Sequence, residues 1–189
     1  VHASSDFYSQ DRPSLLAQAG IHGGEIDGKD AGMMLLRDIA LGNKQSLVDD
    51  IDLLFLPILN VDGHENGSSY SRVNQRGPSN MGWRTTAQNI NLNRDYAKAE
   101  SPEMKALLAF INRYNPSLYL DIHVTDGIDY QYDITYGYSG KHGYSPAIAR
   151  WLDTYYKPQL DKDLTGQGHT PGPLIFAMDK KKIEKRDKH

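Results

Sequence analysis

Leu15-Leu16-Ala17-Gln18-Ala19-Gly20-Ile21 runs directly into His22-Gly23-Gly24-Glu25, and the stretch Asp30 to Leu41 then places Met33, Met34, Leu36 and Ile39 at roughly helical spacing. A short apolar run, a glycine-rich turn and an amphipathic helix read as a buried strand, a loop and a covering helix. Gly20, Gly23 and Gly24 flank His22 where the backbone must pass close to something bound. Gly42-Asn43 closes the helix, and Ile51 to Leu59 reads as a second buried strand before Asn60-Val61-Asp62-Gly63.

Further along, His64 to Arg94 lacks periodicity and is rich in Gly, Asn, Ser and Arg, the pattern of a long functional loop. Ser101-Pro102 opens a helix with a capping hydroxyl and a proline at its first position; Met104, Leu107, Leu108 and Ile111 give it an apolar face. Asn115-Pro116 ends that helix, and a third apolar strand runs up to His123. Tyr130 to Tyr138 alternates with a strand-like period of two. Ser145-Pro146 opens a helix expected to turn Ile148, Ala149, Leu152 and Tyr155 inward, and a Gly-Pro-rich loop leads to Leu174 to Met178. Strands alternating with helices imply a largely parallel sheet covered by helices. With no internal repeat and no linker, residues 1–189 are expected to form a single domain.

Composition excludes several classes. The chain has 189 residues, 24% of them charged, a net charge of -3, and no cysteine. Without a basic block, nucleic acid is not an expected partner. No apolar run approaches the length of a membrane span. Without thiols, any metal must be held by His, Asp or Glu.

Two imidazoles and a carboxylate hold a catalytic zinc while leaving a position open for water, and His22, Glu25 and His123 make such a set. His22 and His123 each follow an apolar strand, where ligands of open α/β sheets bind. The remaining histidines read as surface or structural residues. Asp121, two positions before His123, lies on the same strand face and either receives the imidazole N–H or caps a neighbouring loop.

Ala19-Gly20-Ile21-His22-Gly23-Gly24-Glu25, Asn60-Val61-Asp62-Gly63, Gly82-Trp83-Arg84, Asn91-Leu92-Asn93-Arg94-Asp95 and Asp121-Ile122-His123 together resemble the zinc carboxypeptidase family in order and approximate spacing. The resemblance implies a three-layer α/β/α sandwich around a mixed, largely parallel sheet. It implies one Zn2+ per chain on His22, Glu25 and His123. It further implies that Arg84 polarises the scissile carbonyl, and that Asn93 and Arg94 hold the free carboxylate of a peptide or small acyl-amino-acid substrate. A guanidinium suits that last role because it grips a carboxylate with two parallel charge-assisted hydrogen bonds. Arg72 and Arg76 are alternatives to Arg84. A secreted or periplasmic setting also follows from the resemblance.

The chain departs from the family in three ways. The family's general base is a glutamate downstream of the third ligand, and the sole glutamate after His123 is Glu184, in a lysine-rich tail. Val61 stands where proline is usual, and Asp95-Tyr96 follows Asn93-Arg94, the marks of a divergent bacterial-type branch. The family has further strands on both sides, so the domain is expected to be incomplete at both ends, to bind metal, and to hydrolyse peptides slowly or not at all. Two other functions fit: a zinc deacylase of N-acyl amino acids, resembling aspartoacylase and succinylglutamate desuccinylase, or a non-catalytic zinc- or peptide-binding domain.

Overall fold

In a computed structural model of the chain, residues 12–125, 127–139 and 143–174 are described. They fall into two compact units, one ending at Gly127 and the other beginning at Ile128.

The first unit is built on a sheet in which β1 (Ser14–Gln18) is central. β2 (Asp52–Leu56) and β3 (Leu118–Asp121) pair with it in parallel, giving the order β2-β1-β3. At the end of the ladder Gln18 stands beside both Leu56 and Asp121. The starts of β1 and β3 are clipped reciprocally, the Ser14 amide donating to Ser117 Oγ and the Ser117 amide to Ser14 Oγ. All three strands are shorter than their apolar runs, which reach Ile21, Leu59 and His123. Gly20 adopts a φ of +63° and breaks the extended path. Hydrogen bonding continues irregularly past it, from the Leu59 amide to the Ala19 carbonyl and from the Asn60 amide to the Gly20 carbonyl.

Helix α1 (Asp27–Leu41) begins three residues before the apolar spacing predicts. Its face also differs from the expected one, since Met33 and Met34 are exposed. Gly28 and Gly32, one helical turn apart, face the sheet instead. A Cβ at Gly32 would fall 2.1 Å from the Phe55 ring, and one at Gly28 would fall 2.6 Å from Ile122. The helix therefore lies too close to the strands for a side chain at either position.

Between β2 and the next long helix run a short helix α2 (Val61–Glu65), capped by Asn60, and a long irregular segment. Helix α3 (Pro102–Tyr114) has the expected start and stop: Ser101 Oγ accepts from the Met104 amide, and Asn115 closes the helix in the left-handed conformation. Its Met104 and Leu107 join Ile21, Leu59 and Leu92 in the core, with Leu56 packed against them. Phe55 and Leu56, adjacent on β2, point to opposite faces, so α1 and α3 cover opposite sides of the sheet. This is the three-layer α/β/α arrangement.

In the second unit, β4 (Ile134–Tyr136) pairs in parallel with β5 (Pro171–Pro173). The strand β4 is much shorter than the alternation from Tyr130 to Tyr138 predicts. A continuous helical stretch between them comprises α4 (Pro146–Trp151), a π-helical turn (Leu152–Tyr156) and α5 (Lys157–Gly166). Ala149 and Leu152 are buried as expected, whereas Ile148 and Tyr155 are exposed. The wider π turn rotates the face that follows Leu152 away from the helical period. Of the expected Leu174 to Met178 segment only Leu174 is described, and the tail carrying Glu184 lies outside the described residues.

Candidate metal centre

β1 and β3 are parallel neighbours in the order β2-β1-β3, so their carboxyl ends open side by side, the place where ligands of such sheets bind. His22 and Glu25 follow β1, and His123 follows β3 by two residues. Their ligand atoms all lie within 4.8 Å of one another. His22 Nδ1 is 2.9 Å from Glu25 Oε1, and His123 Nδ1 is 3.0 Å from Glu25 Oε2. Ligands of a tetrahedral zinc with bonds of about 2.0–2.1 Å sit roughly 3.3 Å apart, so these spacings need little adjustment.

The far nitrogens are held as well. His22 Nε2 lies 3.1 Å from Asn91 Oδ1, which also accepts the Asn93 amide, and His123 Nε2 lies 3.0 Å from Asp121 Oδ2. An acceptor on Nε2 keeps the proton there and leaves Nδ1 for a metal. The residues present thus fit a zinc ion. His22 and Glu25 are buried while the His123 side chain is 32% exposed, so the centre is open on one side as a catalytic site requires.

Glu25 is the hub. Besides the two imidazoles, its Oε1 accepts from Arg72 Nη2 at 2.8 Å and its Oε2 accepts from the Val124 amide at 3.1 Å. Burial alone would raise its carboxyl, but hydrogen bonds from His123 and His22, the His22 charge and the Arg72 bond hold it well below the usual carboxylate range. Burial likewise works to lower His123, yet hydrogen bonds to Asp121 and Glu25 push it up to about 9 in the metal-free protein. Metal binding must displace that proton.

The other residues singled out in the sequence lie around this hub. Arg84 Nη1 stands 3.9 Å from Glu25 Oε1. Asn93 and Arg94 belong to a 3-10 turn (Leu92–Arg94) that begins at Asn91, the partner of His22; Arg94 is exposed and donates to the Asn93 carbonyl. Arg72, an alternative to Arg84 in the sequence, is the arginine in direct contact with Glu25, and it is buried. Arg76 is exposed. Asp95 caps the next turn, accepting from the Glu100 and Ser101 amides and from Ser101 Oγ. Sequence reasoning gave no role to Asn91, Gln18, Tyr96 or Tyr119, although Gln18 is a polar residue inside an apolar run and is fully buried.

Two glycines bring motifs distant in the sequence into backbone contact. A Cβ on Gly23 would meet the Gly63 and Trp83 carbonyl oxygens at 2.4 and 2.5 Å, and one on Gly82 would meet the Gly63 oxygen at 2.5 Å and the Gly24 nitrogen at 2.7 Å. The backbones of the His22 turn, α2 and the Gly82-Trp83 segment therefore touch directly, and the Trp83 amide donates to the Gly63 carbonyl. Gly82→Ala should cost about 1–3 kcal/mol through overpacking against backbone that cannot rotate away. It should also weaken metal binding, because Gly23 and Gly24 would shift with Glu25. Urea denaturation and a metal titration check both outcomes.

A family model described as zinc carboxypeptidase matches residues 4–178. Among curated proteins the chain is similar to human carboxypeptidase D (25% identity over 183 residues, 85% of this chain and 13% of that protein). It is also similar to carboxypeptidase Z of Gallus gallus (35% over 95 residues, 45% of this chain and 14% of that protein). Among solved structures it resembles a metallo-carboxypeptidase from Pseudomonas aeruginosa in complex with (2-guanidinoethylmercapto)succinic acid, with a TM-score of 0.63 and 24% identity over 90% of this chain and 41% of that one. It also resembles carboxypeptidase A from Helicoverpa armigera, with a TM-score of 0.60 and 19% identity over 89% and 46%. At these identities the structures carry the fold alone. The chain spans under half the length of those two solved chains and a much smaller share of the curated relatives.

Proposed function

Because the chain belongs to the zinc carboxypeptidase family, we propose that it provides the metal centre for zinc-dependent hydrolysis of the C-terminal peptide bond of peptides or proteins. The observation that carries this reading is the convergence of His22, Glu25 and His123, each imidazole oriented from behind by an acceptor. A bound zinc would supply positive charge to a carbonyl oxygen and make water nucleophilic near neutral pH.

The chain's own residues divide the work. Glu25, His22 and His123 would hold the metal. Arg84, at the rim of the Glu25 cluster, places a second positive charge where an oxyanion develops. Arg94, on an exposed turn, takes the free carboxylate of the substrate, with Asn93 beside it.

Metal analysis checks the ligand set, since the purified protein should hold one zinc per chain and His123→Ala should lose it. Full stoichiometric zinc in His123→Ala would remove that residue from the centre. A substrate panel tests the reaction class. On the catalytically competent protein, release of C-terminal residues from peptides, but not from their C-terminal amides, is expected; release of free acid from N-acyl amino acids would favour a deacylase.

A further inference from the structure

Behind His123 lies a run of polar groups, Gln18 buried and the others half-buried, that neither the metal ligation nor the substrate contacts use. Asp121 Oδ2 faces His123 Nε2 at 3.0 Å, while Asp121 Oδ1 accepts from Gln18 Nε2 at 2.9 Å. Gln18 Oε1 in turn accepts from the Tyr119 hydroxyl at 2.9 Å, and that hydroxyl lies 2.7 Å from the hydroxyl of Tyr96. Gln18 and Asp121 are register partners on β1 and β3, so the sheet itself brings them together.

Counting donors fixes the direction of the bonds from Asp121 through Gln18 to Tyr119. A carboxylate only accepts, so Gln18 must turn its amide N–H2 toward Asp121 and its oxygen toward Tyr119. The single Tyr119 proton is then committed to Gln18, so Tyr96 donates to the Tyr119 oxygen, and its hydroxyl also reaches Asp121 Oδ2 at 3.5 Å. Burial raises both phenols above their ordinary value, with the neighbouring Asp121 charge acting in the same direction, so both keep their protons. From Asp121 to Tyr119 each link has one arrangement that satisfies its neighbours, and a network satisfied throughout is rigid.

We infer that Tyr96, Tyr119 and Gln18 are positioning residues for the metal centre: they hold Asp121 with one oxygen on His123 Nε2, so that Nε2 keeps its proton and Nδ1 is the nitrogen offered to the metal. The inference rests on the zinc-site reading given above. It adds that affinity for the metal is set in part by a hydroxyl two hydrogen bonds away from Asp121. In Tyr119→Phe the Gln18 oxygen loses its donor, so Gln18 is held from the Asp121 side alone and Asp121 loses part of its fixed orientation.

The experiment is a double-mutant cycle read by zinc affinity, using competition with a chromophoric chelator, on the unmodified protein, Tyr119→Phe, Gln18→Leu and the double variant. Each single variant should bind zinc on the order of 10-fold more weakly, at the low end of what loss of an outer partner costs. The double variant should be no weaker than the weaker single one, because both act through Asp121. The His123 Nε2–H proton resonance of the zinc-bound protein should be sharp in the unmodified protein and broadened by exchange in Tyr119→Phe. Folded single variants with affinity within about twofold of the unmodified protein, or losses that simply add, would overturn the inference. If Tyr119→Phe does not fold, Tyr96→Phe keeps the ring at a half-buried position and carries the same test; an unchanged affinity and an unchanged resonance there would overturn it equally. Failure of the unmodified protein to bind zinc, or zinc retained by His123→Ala, would instead overturn the zinc-site reading.

Discussion

Glu25→Ala should leave the protein without measurable metal affinity and, in the metal-free state, less stable by about 3–5 kcal/mol, the cost of removing one partner from a buried ion pair. The Glu25 and Arg72 side chains are 2% and 5% exposed and 2.8 Å apart. Without the carboxylate, the Arg72 guanidinium and the Val124 amide lose an acceptor in a place water reaches poorly, and two imidazoles lose the group that draws them together. Glu25→Gln separates the two effects. It keeps the volume but offers one accepting oxygen where the site uses two, so it should recover part of the stability and little of the metal affinity. Chemical denaturation of metal-stripped samples and zinc competition measure the two quantities. Glu25→Ala with unchanged denaturation and bound zinc would show that Glu25 is not the hub of the centre.

Arg94→Ala should lower kcat/KM for peptides by about 30- to 5,000-fold, corresponding to about 2–5 kcal/mol, when assayed on the catalytically competent protein. The expectation follows from chemistry that an exopeptidase cannot avoid, since a free carboxylate entering a partly desolvated site needs a cation of matching geometry. Arg94 is exposed, on the turn that starts at the residue holding His22 in place. The loss should be selective: hydrolysis of a C-terminal amide, already poor, should change little. Equal losses on peptide and amide would assign Arg94 a structural role in its turn, and no loss on either would remove it from substrate recognition.

The strand, turn and helix around His22 were legible because they depend on local signals: an apolar run, glycines and a helical period. The same holds for α3, whose Ser101-Pro102 start and Asn115 stop are chemical requirements of helix ends. The face of α1 was not legible. Its contact with the sheet runs through Gly28 and Gly32, and an absent side chain carries no hydrophobic signal. The ends of β1 and β2 were overestimated for a related reason, since burial beyond Gln18 and Leu56 comes from irregular backbone that keeps Ala19, Ile21 and Leu59 inside without a ladder. His22, Glu25 and His123 stood out as a potential ligand set in the sequence, but the residues that orient them did not. Asn91 and Gln18 act through amides whose partners lie 69 and 103 positions away. Asp95 and Tyr96, departures from the family pattern, hold the start of α3 and join the network beneath His123.

Glu25 grips His22 three positions away and His123 98 positions away. For a chain with no cysteine, a metal bound there would act as a covalent-like tie that turns the segment from Glu25 to His123 into a ring. Closing a ring of about 100 residues removes freedom from the unfolded chain worth on the order of 4–5 kcal/mol in the chain-entropy description of a disulfide. Such a tie encloses α1, β2, the long irregular segment and α3 together, so it would resist unravelling of any of them. Unlike a disulfide it opens with acid or a chelator, not with a reductant. The same three side chains that prepare the chemistry would therefore also serve as the chain's reversible staple.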